Sequence, residues 1–273
     1  MNSIQISVEA NEEQQEILIS QLSDLGADGF EQTDKHLIVY FNENMFKSYE
    51  VNELLKQYSF TTNTIEEKNW NEVWESNFQP VIVNNFCAIR AEFHESIKDA
   101  EHEIIITPKM SFGTGHHATT YMMIAQMQNI DFKNKTVFDF GTGTGILAIL
   151  AEKLEASSIT AIDVDDWSIA NAKENFKRNG CSKISVSLSS EIPNQEFDII
   201  LANINRNVIL SYLPELNASL KENSYLLISG LLNSDEKDIV EACTSHNLRL
   251  LKRTERNNWI CLLLIKPYDS KVI

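Results

Sequence analysis

The chain has 273 residues, 43% hydrophobic and 23% charged, an ordinary globular composition with room for one large domain or a medium one and a small one. With 39 acidic against 23 basic residues the formal charge is −16, which argues against phosphate-rich partners such as DNA and suits either a basic protein as partner or an acidic surface that only keeps the protein soluble. The opening MNSIQISVEANEEQQ has neither a basic start nor an apolar run, no apolar run reaches bilayer length, and four scattered cysteines form no CxxC pair. These features speak against a signal peptide, a membrane span and a zinc site, and for reduced thiols in the cytoplasm.

Residues 1–66 read as a small unit. IQISVEA (4–10) alternates as a strand, and the next 16 residues carry Ile17, Leu18, Leu22 and Leu25 at helical spacing up to Gly26. A hairpin ending in HLIVYF (36–41), a second helix over 44–58 with Phe46, Tyr49, Leu54 and Leu55 as its apolar face, and β-prone SFTTNTIEE complete a β-α-β-β-α-β order. That order is the ferredoxin-like split unit, an architectural expectation only. In EEKNWNEVWESNFQP, Trp70, Trp74 and Phe78 fall at i, i+4, i+8, which predicts a linker helix over 67–80 that stops near Pro80.

Short strands are expected around 81–93 and at 103–108, and from 134 strand and helix alternate: TVFDF, a helix from Gly145, SITAIDV, a helix over 165–180, KISVSLS, FDIILANI, and a helix over 207–222 containing Pro214. SYLLISGLL, a helix over 234–246 and a final hairpin of RLLKRTER with WICLLLIKP close the chain. The alternation predicts a mainly parallel sheet covered on both faces, with an antiparallel edge from the hairpin.

Five of the nine glycines, Gly113, Gly115, Gly141, Gly143 and Gly145, sit in two similar segments, KMSFGTGHHATT and VFDFGTGTGILAI. Clustered glycine signals positive φ or close approach of backbone to a ligand. The second segment runs strand, glycine turn, helix, the place where an open α/β sheet binds ligands. Ile146 stands where a dinucleotide fingerprint needs its last glycine, and no lysine follows as a Walker loop requires. Asp139, two residues before Gly141, disfavours pyrophosphate and suits a cationic ligand or a role in orienting the loop. Asp163, ending the next strand, is placed to accept ribose hydroxyls, with capping of the following helix as the alternative. A nucleoside, no phosphate and a positive sulfonium together describe S-adenosyl-L-methionine.

These residues resemble the cofactor half of a class I methyltransferase, Rossmann-like. The rest of the chain narrows the resemblance. FGTGHHATT is similar to the FGTGTHPTT segment of the PrmA family, which methylates large-subunit ribosomal protein L11. The tryptophan-bearing segment resembles that family's linker, and LANIN its Asn-Ile motif after strand four. The resemblance covers essentially the whole chain and implies a ferredoxin-like recognition domain (1–66), a linker helix (67–80) and a methyltransferase domain (81–273). It implies cofactor contacts from Thr120, Gly141, Asp163 and Asn203, with Phe112 closing over the pocket beside Thr120, and Gly143, Gly145 and Asp139 shaping the loop. It also implies methyl transfer to amines of L11, lysine side chains and an N-terminal α-amine, with Asn203 positioning the amine. No heptad or long edge strand in the sequence demands a partner copy, so a monomer is expected. His116 and Ala118 depart from the family's Thr and Pro, and Asn205-Arg206-Asn207 replaces small residues. His116 and His117, being adjacent, point apart and do not suggest a metal site. Two other readings remain open: a class I methyltransferase with another substrate, and an inactive module that docks on the ribosomal protein.

Overall fold

The computed structural model describes residues 3–65, 78–108 and 113–268, divided into two compact units, Met1–Ser76 and Asn77–Ile273. Most of the predicted linker helix, with Trp70 and Trp74, lies outside the described residues, as does Phe112.

In the first unit, β1 (Ser3–Glu9), α1 (Glu12–Asp24), β2 (Gly29–Gln32), β3 (His36–Asn42), α2 (Ser48–Leu55) and β4 (Phe60–Ile65) form an antiparallel sheet in the order β2-β3-β1-β4. This is the ferredoxin-like arrangement. Ile4, Ile6 and Val8 of β1 and Leu37, Val39 and Phe41 of β3 turn one face of the sheet onto Leu18, Leu22, Val51 and Leu55 of the helices. α1 starts at a capping box, with Asn11 Oδ1 accepting from the Gln14 amide and Gln14 Oε1 from the Asn11 amide, each at 3.0 Å. Two apolar assignments change. Ile17 is 53% and Tyr49 78% exposed, and Val51 takes the core position instead. α2 also starts later than its apolar pattern suggests, because Asn42 caps a separate 3-10 turn at Glu43–Met45 and Phe46 is extended.

The second unit opens with β5 (Val81–Val83), β6 (Cys87–Ala91) and β7 (His102–Ile106), a three-stranded sheet, followed by α3 (Ala118–Met127). Then come β8 (Thr136–Phe140), α4 (Ile146–Lys153), β9 (Ser158–Asp163), α5 (Asp166–Arg178), β10 (Ile184–Leu188), β11 (Phe197–Asn203), α6 (Arg206–Ala218), β12 (Leu220–Leu232), α7 (Glu236–Ser245), β13 (Arg249–Arg256) and β14 (Trp259–Lys266). The seven strands from β8 order as β10-β9-β8-β11-β12-β14-β13. β14 runs antiparallel to both its neighbours, so the closing hairpin forms that edge with its reversed strand on the inside.

Both faces of the sheet are buried, which is why its strands read as continuous apolar runs. Val137, Ile159, Ile199 and Leu201 face α3 and α4, whereas Phe138, Ile162, Ile200 and Ile228 face α6 and α7. α6 ends at Ala218 rather than near 222, because Leu220 already pairs with Phe197 of β11. Lys266 Nζ closes that helix end by donating to the carbonyls of Asn217 (2.8 Å) and Leu220 (2.7 Å).

Candidate active site

At the carboxyl ends of β8, β9, β11 and β12 a cleft of about 460 Å³ opens, in the range of small-molecule sites. The turn after β8 forms its floor. Gly141, Gly143 and Gly145 all have positive φ (77°, 53° and 82°), a conformation costly for any other residue. The amides of Gly141 and Thr142 both donate to Ile162 O, tying the turn to β9, and Gly145 begins α4. A Cβ at Gly141 would stand 2.5 Å from Ile204 Cγ2, and one at Gly145 2.5 Å from Phe176 Cε1.

Asp163 ends β9 in the cleft wall. Its Oδ2 accepts the Gly143 amide at 2.8 Å and its Oδ1 the Asp165 amide at 3.1 Å. Asp163 is not the helix cap, because Asp165 caps α5 by accepting from the amides of Trp167 and Ser168. Each Asp163 oxygen keeps a further lone pair for a ligand. Asp139 lies beneath the loop and does not line the cleft. It is 1% exposed, and Thr142 Oγ1 donates to its Oδ2 at 2.6 Å. Burial pushes its carboxyl up to about 7, helped by the charge of Asp163 and opposed by the Thr142 hydroxyl and the Ala148 amide.

Asn203, the last residue of β11, lines the cleft and a small neighbouring cavity that it shares with Thr120 and Gly113. Its Nδ2 donates to Thr120 Oγ1 at 3.1 Å. Its Oδ1 is buried with no hydrogen-bond partner among the described residues, which marks it as an acceptor awaiting a donor. The first glycine segment meets the second here: Thr144 Oγ1 donates to Gly113 O at 2.8 Å. A Cβ at Gly113 would collide with that hydroxyl at 2.9 Å.

The two histidines do point apart. His116 packs edge-on against Phe78 (4.8 Å), and burial lowers its pKa. His117 caps α3, takes the Thr119 hydroxyl at 2.8 Å and meets Trp259 edge-on at 4.8 Å. Among the described residues no group of His, Cys, Asp and Glu could hold a metal ion. In the departing segment, Asn205 caps α6 through Val208, and Arg206 turns away to Asp238 (2.5 Å) and Asp235 (3.8 Å) at α7.

Three wall residues carry no motif signal. Trp259 reads in sequence only as the start of an apolar strand, and Ser189 as the last residue of the strand KISVSLS. Gly230, also in the wall, reads as part of a buried strand. Its φ is 85°, and a Cβ there would lie 2.3 Å from Ile204 O. A lone glycine inside an apolar strand is the one hint of a close backbone approach.

Among the described residues no lysine or arginine lines the cleft, and the one carboxylate among them sits at the ribose position of the fold. These donors fit a nucleoside carrying a positive sulfonium and do not fit a pyrophosphate. Fold and cleft together define a class I methyltransferase, dependent on S-adenosyl-L-methionine.

The family model for ribosomal protein L11 methyltransferase (PrmA) matches residues 39–267. The chain is 38% identical to a ribosomal protein L11 methyltransferase of Porphyromonas gingivalis, over 90% of this chain and 89% of that one. It is 35% identical to one of Phocaeicola vulgatus, over 93% and 95%. The crystal structure of ribosomal protein L11 methylase from Lactobacillus delbrueckii subsp. bulgaricus matches with a TM-score of 0.65 at 29% identity, covering 70% of this chain and all of that one. The chain belongs to the ribosomal protein L11 methyltransferase family.

Proposed function

We propose that this protein transfers methyl groups from S-adenosyl-L-methionine to amines of ribosomal protein L11, its lysine side chains and its N-terminal α-amine. Residues 1–66 are the recognition domain and 67–80 the linker, with catalysis in 81–273 and the whole acting in the cytoplasm. The observation that carries the reading is Asn203. Its Nδ2 is anchored on Thr120, which leaves a buried Oδ1 at the cleft with no partner among the described residues.

The cofactor supplies an activated methyl on a positively charged sulfur. Asp163, Gly141, Gly143 and Thr120 are assigned to hold it, with Asp139 and Gly145 setting the loop and Phe112 closing over it. A lysine must lose its proton to attack, and in water it does so only near pH ~10.4. An acceptor such as Asn203 Oδ1 binds one N–H of the amine and aims its lone pair, but takes no proton. The site therefore works chiefly by desolvation and positioning.

Intact-protein mass spectrometry of unmethylated L11 with the enzyme and cofactor tests this. Methyl-sized increments are expected with the wild type and not with Asp163→Ala. Cofactor binding without increments would reject L11 as substrate, and absence of both would favour an inactive docking module.

A further inference from the structure

Three asparagines stand at i, i+4, i+8 along α5: Asn171, Asn175 and Asn179. Asparagine is a poor helix former, and two of the three are buried, Asn171 at 1% and Asn175 at 0% exposure. A buried amide row needs partners. Asn179 treats β7 as a neighbouring strand would, accepting the Ile105 amide at 2.9 Å and donating to the Ile105 carbonyl at 2.6 Å. Asn175 does more. Its Oδ1 accepts the Thr107 amide at 2.8 Å, where the chain leaves β7 towards the first glycine segment. Its Nδ2 donates to Thr144 O at 2.8 Å, inside the second glycine loop, and to Asn171 Oδ1 at 3.2 Å. Thr144 in turn reaches back to Gly113 O.

We propose that Asn175 is a positioning residue that locks the two glycine segments to each other, so that the two walls of the cofactor cleft order as one unit. The residue touches no part of the cleft and acts through Thr107 and Thr144. Its acceptor end holds Thr107, at the exit from β7, and its donor end holds Thr144, whose own hydroxyl ties the second segment to Gly113 of the first. This rests on the cofactor reading of the cleft only for its consequence, tighter binding; the coupling itself is a property of the chain without ligand.

The test is amide hydrogen exchange of the ligand-free protein, alongside calorimetric titration with S-adenosylhomocysteine, for wild type, Asn175→Asp, Asn175→Leu and Asn179→Ala. Asn175→Asp keeps the acceptor for Thr107 and removes the donor to Thr144, so it is the milder variant if Asn175→Leu does not fold. Exchange in Asn175→Asp is expected to rise together over residues 113–117 and 141–145, with product affinity falling about tenfold, the order for one buried hydrogen bond. In Asn179→Ala the rise should stay within residues 105–108, with affinity within about twofold of wild type. If Asn175→Asp lowers only the melting temperature and leaves both segments protected, or if Asn179→Ala loosens them equally, the coupling is wrong. A wild type that does not bind the product sinks the cofactor reading, while the exchange pattern still decides the coupling.

Discussion

Two residues of the site carry costs of different kinds. Asp139 holds its proton up to about pH 7 because burial strips the carboxylate of water. In the unfolded chain it ionises near the ordinary aspartate value of 3.8. Between those values the folded state binds the extra proton, so this residue's contribution to stability falls as pH rises, by up to about 1.4 kcal/mol per pH unit, and levels off above pH 7. Asp139→Asn keeps an acceptor for the Thr142 hydroxyl and cannot ionise. Urea denaturation of both proteins at several pH values should show a flatter slope for the variant across that window and greater stability above it; parallel slopes would dismiss the buried-acid account. Gly230 carries a steric cost instead. With φ at 85° and Ile204 O in the way, Gly230→Ala must move the Ile204 backbone and the Asn203 beside it. About 1–3 kcal/mol of strain is expected, with single-turnover methylation falling more than cofactor affinity. An alanine variant with wild-type turnover would show that the segment after β11 tolerates displacement.

At the scale of elements, that same segment is fixed from three sides: Ile204 between Gly141 and Gly230, Asn205 as the cap of α6, and Arg206 on α7. Asn205→Ala should cost about 1 kcal/mol in thermal or chemical melts, the usual worth of a cap. Arg206→Ala, at a pair 33% and 57% exposed on its two side chains, should cost less than about 0.5 kcal/mol. A reversed ranking would make the ion pair, not the cap, the anchor. Elements bounded by glycine or acid were legible in sequence: β8 into Gly141, β9 into Asp163 and α5 to Gly180 all start or stop where local chemistry dictates. The inner place of β14 was less so, because it depends on which hairpin strand meets β12. Composition does record it: WICLLLIK is buried nearly throughout, whereas RLLKRTER is half exposed and takes the edge. Asp163, Gly141 and Asn203 could be placed at the cleft because each stands at or just past a strand end in a recognisable motif. Trp259 and the asparagine row of α5 could not, since a strand-initial tryptophan and a polar helix face have commoner explanations, and their contacts come from distant parts of the chain.

At the scale of the molecule, the acidic charge is unevenly spread. Residues 1–66 hold 12 acidic residues against 3 lysines and no arginine, so they carry −9 of the net −16. The cleft, by contrast, exposes one carboxylate among its described residues. A charge concentrated on the unit assigned to recognition should speed encounter with a basic partner, an effect that salt screens. Raising ionic strength from about 0.05 to about 0.3 M should therefore raise KM for the protein substrate severalfold and leave kcat nearly constant. Reversing three exposed acids, Glu13→Lys, Asp34→Lys and Glu43→Lys, should reproduce the high-salt KM at low salt and weaken its remaining salt dependence. Cofactor affinity should not change, because none of the three is among the described residues that line its cleft. If KM is insensitive to salt while these reversals are neutral, recognition must rest on apolar contact, and exposed Ile17, Met45 and Tyr49 of the same unit become the groups to substitute next.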